Sequence, residues 1–272
     1  MSAVARPVHS HLHIMLIRDI MRPGVISIDE ATWLGDAYNA MNQSEIRHLP
    51  VTREGVVFGM LSERDLLNAR AHNPDWWQIP AHKAMHTPVR TASPEESVDS
   101  VIERMAREKL GAMPVVDVDK LVGIVTVIDL LQPRVRPSPI SSARDAMTPF
   151  PVTILPEASL VDAVATMVDH KVRHLPVVDH TNTVVGILSE RDVRTAIGDP
   201  VRYREMRTST PRHVVGDVMA IPPVLVPFDR SLHELARQFA EDRLDAVCVV
   251  DKFGALIGIV SYVDVLRILA VD

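Results

Sequence analysis

The chain has 272 residues, of which 47% are hydrophobic and 24% are charged, and its formal net charge is −6. This composition is typical of a soluble globular protein, and the acidic balance argues against a nucleic-acid surface, which needs clustered lysine and arginine. The sequence contains no apolar run of the roughly 18 to 20 residues that a membrane span needs, and its first residues lack the apolar core of a secretory signal. We therefore expect a cytoplasmic protein with no membrane or nucleic-acid partner.

One pattern occurs four times along the chain, and three motifs mark each copy. A methionine opens each copy, at Met21, Met85, Met147 and Met219. A second motif, which reads [His/Ala]-x-Pro-Val in the first three copies, begins 27 residues later in every copy, at His48, Ala112, His174 and Ala246. A third motif, glycine, two apolar residues, Ser or Thr, two further residues and aspartate, ends at Asp65, Asp129, Asp192 and Asp264. Four copies at one spacing indicate a true repeat.

The hydrophobic periodicity of the first copy predicts its elements in chain order. Residues 25–28 read as a strand, and Leu34, Ala37 and Met41 then follow at helical spacing. Two short apolar runs separated by a polar turn come next and predict adjacent strands, and Ser62 opens a second helix. Serines that can cap the first helices of the other copies stand at Ser97, Ser159 and Ser231. Each unit is therefore β-α-β-β-α, in about 50 residues, which is too small a core to stand alone.

The spacing divides the chain into two pairs of copies. We predict the copies at residues 18–67, 82–131, 144–194 and 216–267, with a Pro-, Ser- and Arg-rich linker at 132–143. Copies one and three share Arg-His-Leu-Pro-Val and Ser-Glu-Arg-Asp, as a duplicated pair would. The insertions within each pair carry Trp76, Trp77 and Tyr203, whose positions the sequence does not predict.

The three motifs resemble those of the cystathionine-β-synthase (CBS) domain, and the resemblance covers nearly all of residues 18–267. It implies an α/β (α+β) fold of four β-α-β-β-α repeats paired into two Bateman modules, each with two clefts for adenosine ligands. It also implies that the four aspartates bind the ribose hydroxyls and that backbone near the first strands, around Val25 and Val152, contacts adenine. The Ser or Thr three residues before each aspartate would contact phosphate together with nearby basic groups; these residues are Ser62, Thr126, Ser189 and Ser261.

The chemistry of the third motif suits this role. A carboxylate only accepts hydrogen bonds, so it matches a diol that must donate two of them, and a helix N-terminus favours an anion. The ordinary alternative is that Ser/Thr-x-x-Asp simply begins a helix, as short motifs of this type often do.

Basic residues distinguish the copies. Copy one carries Arg47, His48 and Arg64, and copy three carries Arg173, His174 and Arg191. The equivalent residues of copies two and four are Gly111, Ala112, Ile128, Asp245, Ala246 and Val263. Because guanidinium groups suit phosphate oxygens and Asp245 would repel them, we expect one strong site per module, around Asp65 and Asp192. Two alternatives stay open: the arginines pair with Glu63 or Glu190 on solvated faces, or basic residues of copy one serve the Asp129 cleft.

These observations favour a regulatory sensor that binds AMP, ADP or ATP and acts on an unidentified partner. No enzyme is expected, because the sequence lacks a Gly-rich phosphate loop, His-Glu-x-x-His and G-x-S-x-G. The alternatives are a ligand-free interaction scaffold and a binder of S-adenosylmethionine or NAD. We expect a homodimer through exposed module helices, unless the two modules pack against each other within one chain.

Two further features are interpreted as structural. His9, His11 and His13 occupy alternate positions, as metal ligands on one face of a strand would. An N-terminal segment of this kind is expected to be a mobile tail, so no metal site is predicted. Cys248, the single cysteine, lies in an apolar strand pattern and is predicted to be a small buried hydrophobe.

Overall fold

A computed structural model describes residues 14–131, 141–197 and 213–270. His9, His11, His13, Tyr203 and most of the predicted linker lie outside these residues. Within the described ranges, no helix is long and apolar enough to cross a membrane.

Each copy folds as a helix, a β-hairpin and a second helix. The first helices are α1 (Leu34–Gln43), α3 (Val98–Glu108), α6 (Leu160–Asp169) and α8 (Leu232–Asp242). The hairpins are β2 (His48–Arg53) with β3 (Val56–Ser62), β4 (Ala112–Asp117) with β5 (Lys120–Thr126), β7 (His174–Val178) with β8 (Val184–Ser189), and β10 (Ala246–Val250) with β11 (Leu256–Ser261). The second helices are α2 (Glu63–His72), α4 (Val127–Leu130), α7 (Glu190–Ile197) and α9 (Tyr262–Leu269). The predicted α/β repeat is confirmed.

The opening strands are shorter than the apolar pattern predicts. In copy one the strand is β1 (Ile28–Asp29), which pairs in parallel with Val51 and Thr52 of β2. Val25 precedes it and lies outside the strand. In copy four the corresponding strand is β9 (Leu225–Pro227), which pairs in parallel with β10.

Local capping explains where the first helices begin. The Ser97 side chain accepts a hydrogen bond from the N–H of Ser100, and that of Ser159 accepts one from the N–H of Asp162. Ser231 also occupies the N-cap position, but its side chain makes no capping hydrogen bond. The predicted helix starts are therefore correct at all three serines, and the predicted cap is formed at two of them.

The segments that open the copies are exchanged between the two copies of a pair. We call residues 17–22, 81–86, 143–148 and 215–220 the lead segments; the third contains α5 (Ala143–Ala146) and enters β6 (Thr148–Pro149). The lead segment of copy one bonds to the sheet of copy two through Arg22 and Ile124, and that of copy two bonds to copy one through His86 and Met60. Copies three and four exchange their lead segments in the same way, through Thr148 with Ile259 and Ala220 with Ile187. Copies one and two thus form module 1, and copies three and four form module 2.

The exchange explains why the sequence repeats a methionine and a glycine. Met21 of copy one packs on Gly123 of copy two, where a Cβ atom would lie 2.6 Å from the methionine sulfur and 3.2 Å from the carbonyl oxygen of Arg22. Each of the other three motif glycines meets the methionine of its partner copy in the same manner. Each glycine therefore provides the space that its partner's lead segment needs.

The two modules share their hydrophobic cores. One cluster of buried residues joins copy two to copy four and includes Met105, Val125, Phe239 and Leu266. On the other side, Leu67 of α2 belongs to the core of copy three. Helix α9 contacts α3 and α4, and α2 contacts α6 and α7, so the four copies close into a ring within one chain. The helical faces on which the expectation of a homodimer rested are largely covered by this intramolecular packing.

The first insertion contributes a core residue that the sequence did not place. Trp76 is fully buried, with its ring edge-on to Tyr38 at 5.6 Å between centroids. The guanidinium of Arg70 lies 4.8 Å from the Trp76 ring centroid. The insertion therefore extends the core of copy one.

Candidate functional site

Each motif aspartate caps its own helix through one carboxylate oxygen. Asp65 Oδ2 accepts hydrogen bonds from the N–H of Ser62 at 2.7 Å and from its hydroxyl at 2.6 Å. The same two bonds join Thr126 to Asp129, Ser189 to Asp192, and Ser261 to Asp264. The ordinary interpretation of Ser/Thr-x-x-Asp is thus correct in all four copies. It leaves Oδ1 as the carboxylate oxygen that a ligand can reach.

The partners of Oδ1 differ between the modules. In module 1, His86 Nε2 lies 2.9 Å from Asp65 Oδ1, and Arg22 Nε lies 2.8 Å from Asp129 Oδ1. In module 2, Arg267 Nη2 is 3.6 Å from Asp264 Oδ1. Among the described residues, no basic side chain lies within 4 Å of the Asp192 carboxylate. Sequence reasoning missed Arg22 and His86, although each directly follows a motif methionine.

Each cleft is built from both copies of a module. The chain runs from Thr148, paired with Ile259 of copy four, to Ile154, paired with Val177 of copy three. Val152 lies between these two points and lines the same cavity as Asp264. Val152 therefore shares a cavity with the partner copy's aspartate, whereas Asp192 lines a different pocket. Val25 lies in the same way between Arg22, which pairs with the sheet of copy two, and Ile28, which pairs with that of copy one. This crossing segment associates Val25 with Asp129, the motif aspartate of copy two.

A cavity of about 800 Å³ lies between the four copies. All six predicted basic residues line it, so the structure unites two clusters that the sequence assigned to separate sites: Arg47, His48, Arg64, Arg173, His174 and Arg191. Asp264 lines it together with Ser62, Ser189 and Ser261, whereas Asp65, Asp129, Thr126 and Asp192 do not. Asp192 lies at a smaller pocket of about 430 Å³, next to Arg191.

Several of the predicted phosphate ligands already have protein partners. Arg47 forms an ion pair with Asp245, so the carboxylate that was expected to repel phosphate is neutralised across the cavity. Arg64 donates to the carbonyl oxygen of Lys171 at 3.1 Å, and Arg191 lies 3.5 Å from Glu45. The predicted alternative, arginine pairing with acidic residues, thus describes part of the cluster, although with different acids.

Burial fixes the charge of three groups in the cavity. Burial, together with the nearby charges of Arg173 and Arg47, lowers the pKa of His48 and of His174 to about 3. Both imidazoles are therefore neutral at pH 7 and can bind phosphate by a hydrogen bond but not by charge. Burial and the neighbouring Glu63 carboxylate raise the pKa of Glu190 to about 8, so this carboxyl keeps its proton at neutral pH.

Sequence reasoning also missed residues that complete the cavity wall. Phe150, which is 92% exposed, lines the cavity near Val152, and Arg90, Lys171 and Arg267 add basic groups. Arg90 and Arg267 belong to copies that lack the Arg-His signature, and the partner of each lead segment is visible only in three dimensions.

Neither metal nor thiol chemistry is evident in the described part of the chain. There, no cluster of three or more His, Cys, Asp or Glu side chains could hold a metal ion. Cys248 is fully buried, and burial raises the pKa of its thiol to about 12. Such a thiol is a poor nucleophile, which agrees with its predicted role as a buried hydrophobe.

Comparison with known proteins identifies the repeat. The family model described as "CBS domain" matches residues 17–72, 81–134, 143–199 and 215–271. The CBS domain-containing protein YhcV of Bacillus subtilis is 31% identical over 115 residues, covering 42% of this chain and 81% of that protein. Protein MJ1225 of Methanocaldococcus jannaschii is 23% identical over 270 residues, covering 90% of this chain and 95% of that protein.

Solved structures show the same four-copy fold. The crystal structure of MJ1225, described as a proposed archaeal homologue of g-AMPK, has a TM-score of 0.80 at 21% identity and covers 93% of this chain and 99% of its own. A conserved protein from Pyrococcus horikoshii has a TM-score of 0.64 at 20% identity and covers 94% of this chain and 100% of its own.

Proposed function

Because the chain belongs to the CBS domain family, we propose that it is a regulatory protein that binds adenine nucleotides, AMP, ADP or ATP, in the clefts between paired copies and catalyses no reaction itself. The four motif aspartates are the ribose acceptors. The observation that carries this proposal is the placement of Asp264, which lines a cavity that is also lined by arginines from copies one and three.

The Asp264 cleft offers a partner for each part of a nucleotide. The capped carboxylate is held in place by Ser261, so a ribose diol can donate to Oδ1 in a charge-assisted bond. Phe150 and Val152 present apolar surface for the base. Beyond the ribose, Arg173 and Arg267 line the cavity where phosphate oxygens would lie.

The same cavity supports a regulatory role. Residues of all four copies line it, so a nucleotide bound at Asp264 lies in a cavity that both modules form. A ligand shifts a conformational equilibrium only by its difference in affinity for the two states, and a site between modules is sensitive to their relative position. We infer that nucleotide binding alters how the modules pack and that a protein partner responds to the change.

Two other functions compete with this one. A ligand-free scaffold is favoured by the Arg47–Asp245 ion pair and by the basic side chains that contact Asp65 and Asp129. These contacts give the arginine and the three carboxylates protein partners without a ligand. A site for S-adenosylmethionine or NAD would use the same ribose aspartates. Calorimetric titration of the whole chain with AMP, ADP, ATP, NAD and S-adenosylmethionine separates the three functions, because a scaffold binds none of them at millimolar concentration.

Asparagine variants test the aspartates without removing the helix caps. In Asp264→Asn, the remaining amide oxygen can still accept from Ser261, whereas the amide NH₂ that replaces Oδ1 cannot accept from ribose. Loss of one charge-assisted hydrogen bond is worth roughly 1.5 to 3 kcal/mol, so we expect about a tenfold to hundredfold loss of nucleotide affinity at that cleft.

Asp145→Asn is the matched control. Asp145 caps α5 with the same pair of bonds from Ser142, but it lies outside the cleft cavities. We expect its nucleotide affinity to equal that of the wild type. If the asparagine variants at Asp65, Asp129, Asp192 and Asp264 all bind nucleotide as the wild type does, the aspartates are not the ribose acceptors.

Homodimerisation and a cytoplasmic location stay predictions. Light scattering that shows only a 30.2 kDa particle at high micromolar concentration would remove the dimer.

A further inference from the structure

We propose that Arg22 and His86 act as built-in competitors of the ribose in module 1, so that ligand fills the clefts of module 2 first. We call these two residues the blocking pair. The inference rests on the proposed function, because it concerns the order in which the same clefts are filled.

The blocking pair occupies one structural position in two of the four copies. In every copy, the residue after the lead-segment methionine pairs with the residue five positions before the partner's aspartate. The pairs are Arg22 with Ile124, His86 with Met60, Thr148 with Ile259, and Ala220 with Ile187. In module 1, this shared register places Arg22 next to Asp129 and His86 next to Asp65. In module 2, it places Thr148 next to Asp264 and Ala220 next to Asp192.

The contacts of the blocking pair use the atom that a ribose needs. His86 Nε2 lies 2.9 Å from Asp65 Oδ1, and Arg22 reaches Asp129 Oδ1 through Nε at 2.8 Å and Nη2 at 2.7 Å. The other oxygen of each carboxylate holds the helix cap. A ribose diol and the basic side chain therefore compete for a single oxygen.

Exposure shows which partner can move. The Asp65 and Asp129 side chains are only 6% and 5% exposed and are fixed by their caps, whereas the His86 and Arg22 side chains are 76% and 57% exposed. Each basic side chain can swing into water and recover its hydration when a ligand arrives. The block is therefore reversible, and it lowers affinity without closing the cleft.

Module 2 lacks this device. Thr148 and Ala220 carry no charge at the equivalent position. Arg267 is 3.6 Å from Asp264 Oδ1, beyond hydrogen-bond distance, and no described basic side chain approaches Asp192 within 4 Å. Among the residues that the structure describes, neither carboxylate of module 2 therefore has a competing basic group in hydrogen-bonding contact.

The effect on affinity follows from the population of the open form. The apparent dissociation constant equals the intrinsic constant divided by the fraction of protein whose carboxylate is open. A contact with one exposed partner is modest in strength, so we expect the block to weaken module 1 by about threefold to tenfold.

Adenosine tests the block directly, because it has the ribose but no phosphate that a freed cation could bind. In the full chain carrying Asp192→Asn and Asp264→Asn, only module 1 retains its ribose acceptors. In this background, we expect His86→Thr and Arg22→Thr each to raise adenosine affinity at their own cleft by about threefold to tenfold in calorimetry. Each variant loses only one modest contact, so we expect its melting temperature to lie within about 5 °C of the background.

The reverse variant keeps the test independent of module 1. In the chain carrying Asp65→Asn and Asp129→Asn, Thr148→Arg introduces a basic residue at the blocking position, and adenosine affinity at the Asp264 cleft should fall by a similar factor. Unchanged or lower adenosine affinity in His86→Thr and Arg22→Thr would overturn the block. A loss confined to AMP would make these side chains phosphate ligands instead. If the wild type binds neither adenosine nor AMP, the proposed function fails, and the block fails with it.

Discussion

Glu190 shows how the cavity sets the protonation of a single residue. It is 6% exposed, and burial next to the Glu63 carboxylate raises its pKa to about 8. In the unfolded chain, a glutamate titrates near 4.5. Between these two values the folded protein holds a proton that the unfolded chain has released, so this contribution to stability is fully present below pH 4.5 and is lost as the pH rises through 8.

Glu190→Gln should remove this pH dependence. Glutamine mimics the protonated carboxyl, so we expect the variant and the wild type to be similarly stable at pH 5, with the variant more stable at pH 8 by up to about 4 kcal/mol. Urea unfolding at several pH values measures the difference. Glu241→Gln removes an exposed carboxylate and serves as the control. Parallel curves for wild type and Glu190→Gln between pH 5 and 8 would contradict the assignment.

At the scale of elements, a buried ion pair fastens α2 of module 1 to α7 of module 2. Arg194 Nε lies 3.0 Å from Glu63 Oε1, and the two side chains are only 5% and 8% exposed. Arg194 also donates to the carbonyl oxygen of Ile46 at 3.2 Å, and its own carbonyl accepts from the Tyr38 hydroxyl. Burial raises the pKa of Glu63 and lowers that of Arg194, so desolvation opposes both charges.

Removing one partner of this pair should cost more than removing both. Arg194→Met leaves the Glu63 carboxylate buried without its cation, and we expect a loss of about 3 to 5 kcal/mol in the free energy of unfolding at pH 7. Adding Glu63→Gln should recover most of this loss. Arg18→Met, which breaks the exposed Arg18–Glu95 pair, should cost less than about 1 kcal/mol. If Arg194→Met and Arg18→Met lose the same stability in urea, the buried pair does not hold the modules together.

For the whole molecule, the shared cores predict one unfolding transition instead of two. Met105 of copy two and Phe239 of copy four belong to one cluster, and Leu67 links copy one to copy three. Either module alone would therefore expose apolar surface that it buries in the intact chain.

Tryptophan fluorescence makes this testable. The three tryptophans, Trp33, Trp76 and Trp77, are all in module 1, whereas far-ultraviolet circular dichroism reports on both modules. We expect the two signals to give the same urea midpoint, because the modules unfold together. A fluorescence midpoint well separated from the dichroism midpoint would show that the modules unfold independently.

The sequence predicted the features that depend on residues close together in the chain, but not the contacts between residues that are far apart in it. The caps of Ser97 and Ser159 and the order of elements follow from local pattern, and the structure confirms them. The partner of each lead segment does not follow from local pattern, because all four copies carry the same methionine and glycine and only the structure shows that Met21 packs on Gly123. Arg47 shows the same limit: its partner Asp245 is in another module, so residue type alone suggested a phosphate ligand.

The exchange of lead segments also constrains how such a chain can change its length during evolution. Deleting copy two would remove both the sheet that receives Met21 and the lead segment that covers Gly59, so it would damage copy one as well. Genetic duplications and deletions that preserve folding must therefore add or remove copies two at a time, with breakpoints before a first copy or between residues 131 and 141. An odd number of copies would leave one copy without its exchange partner.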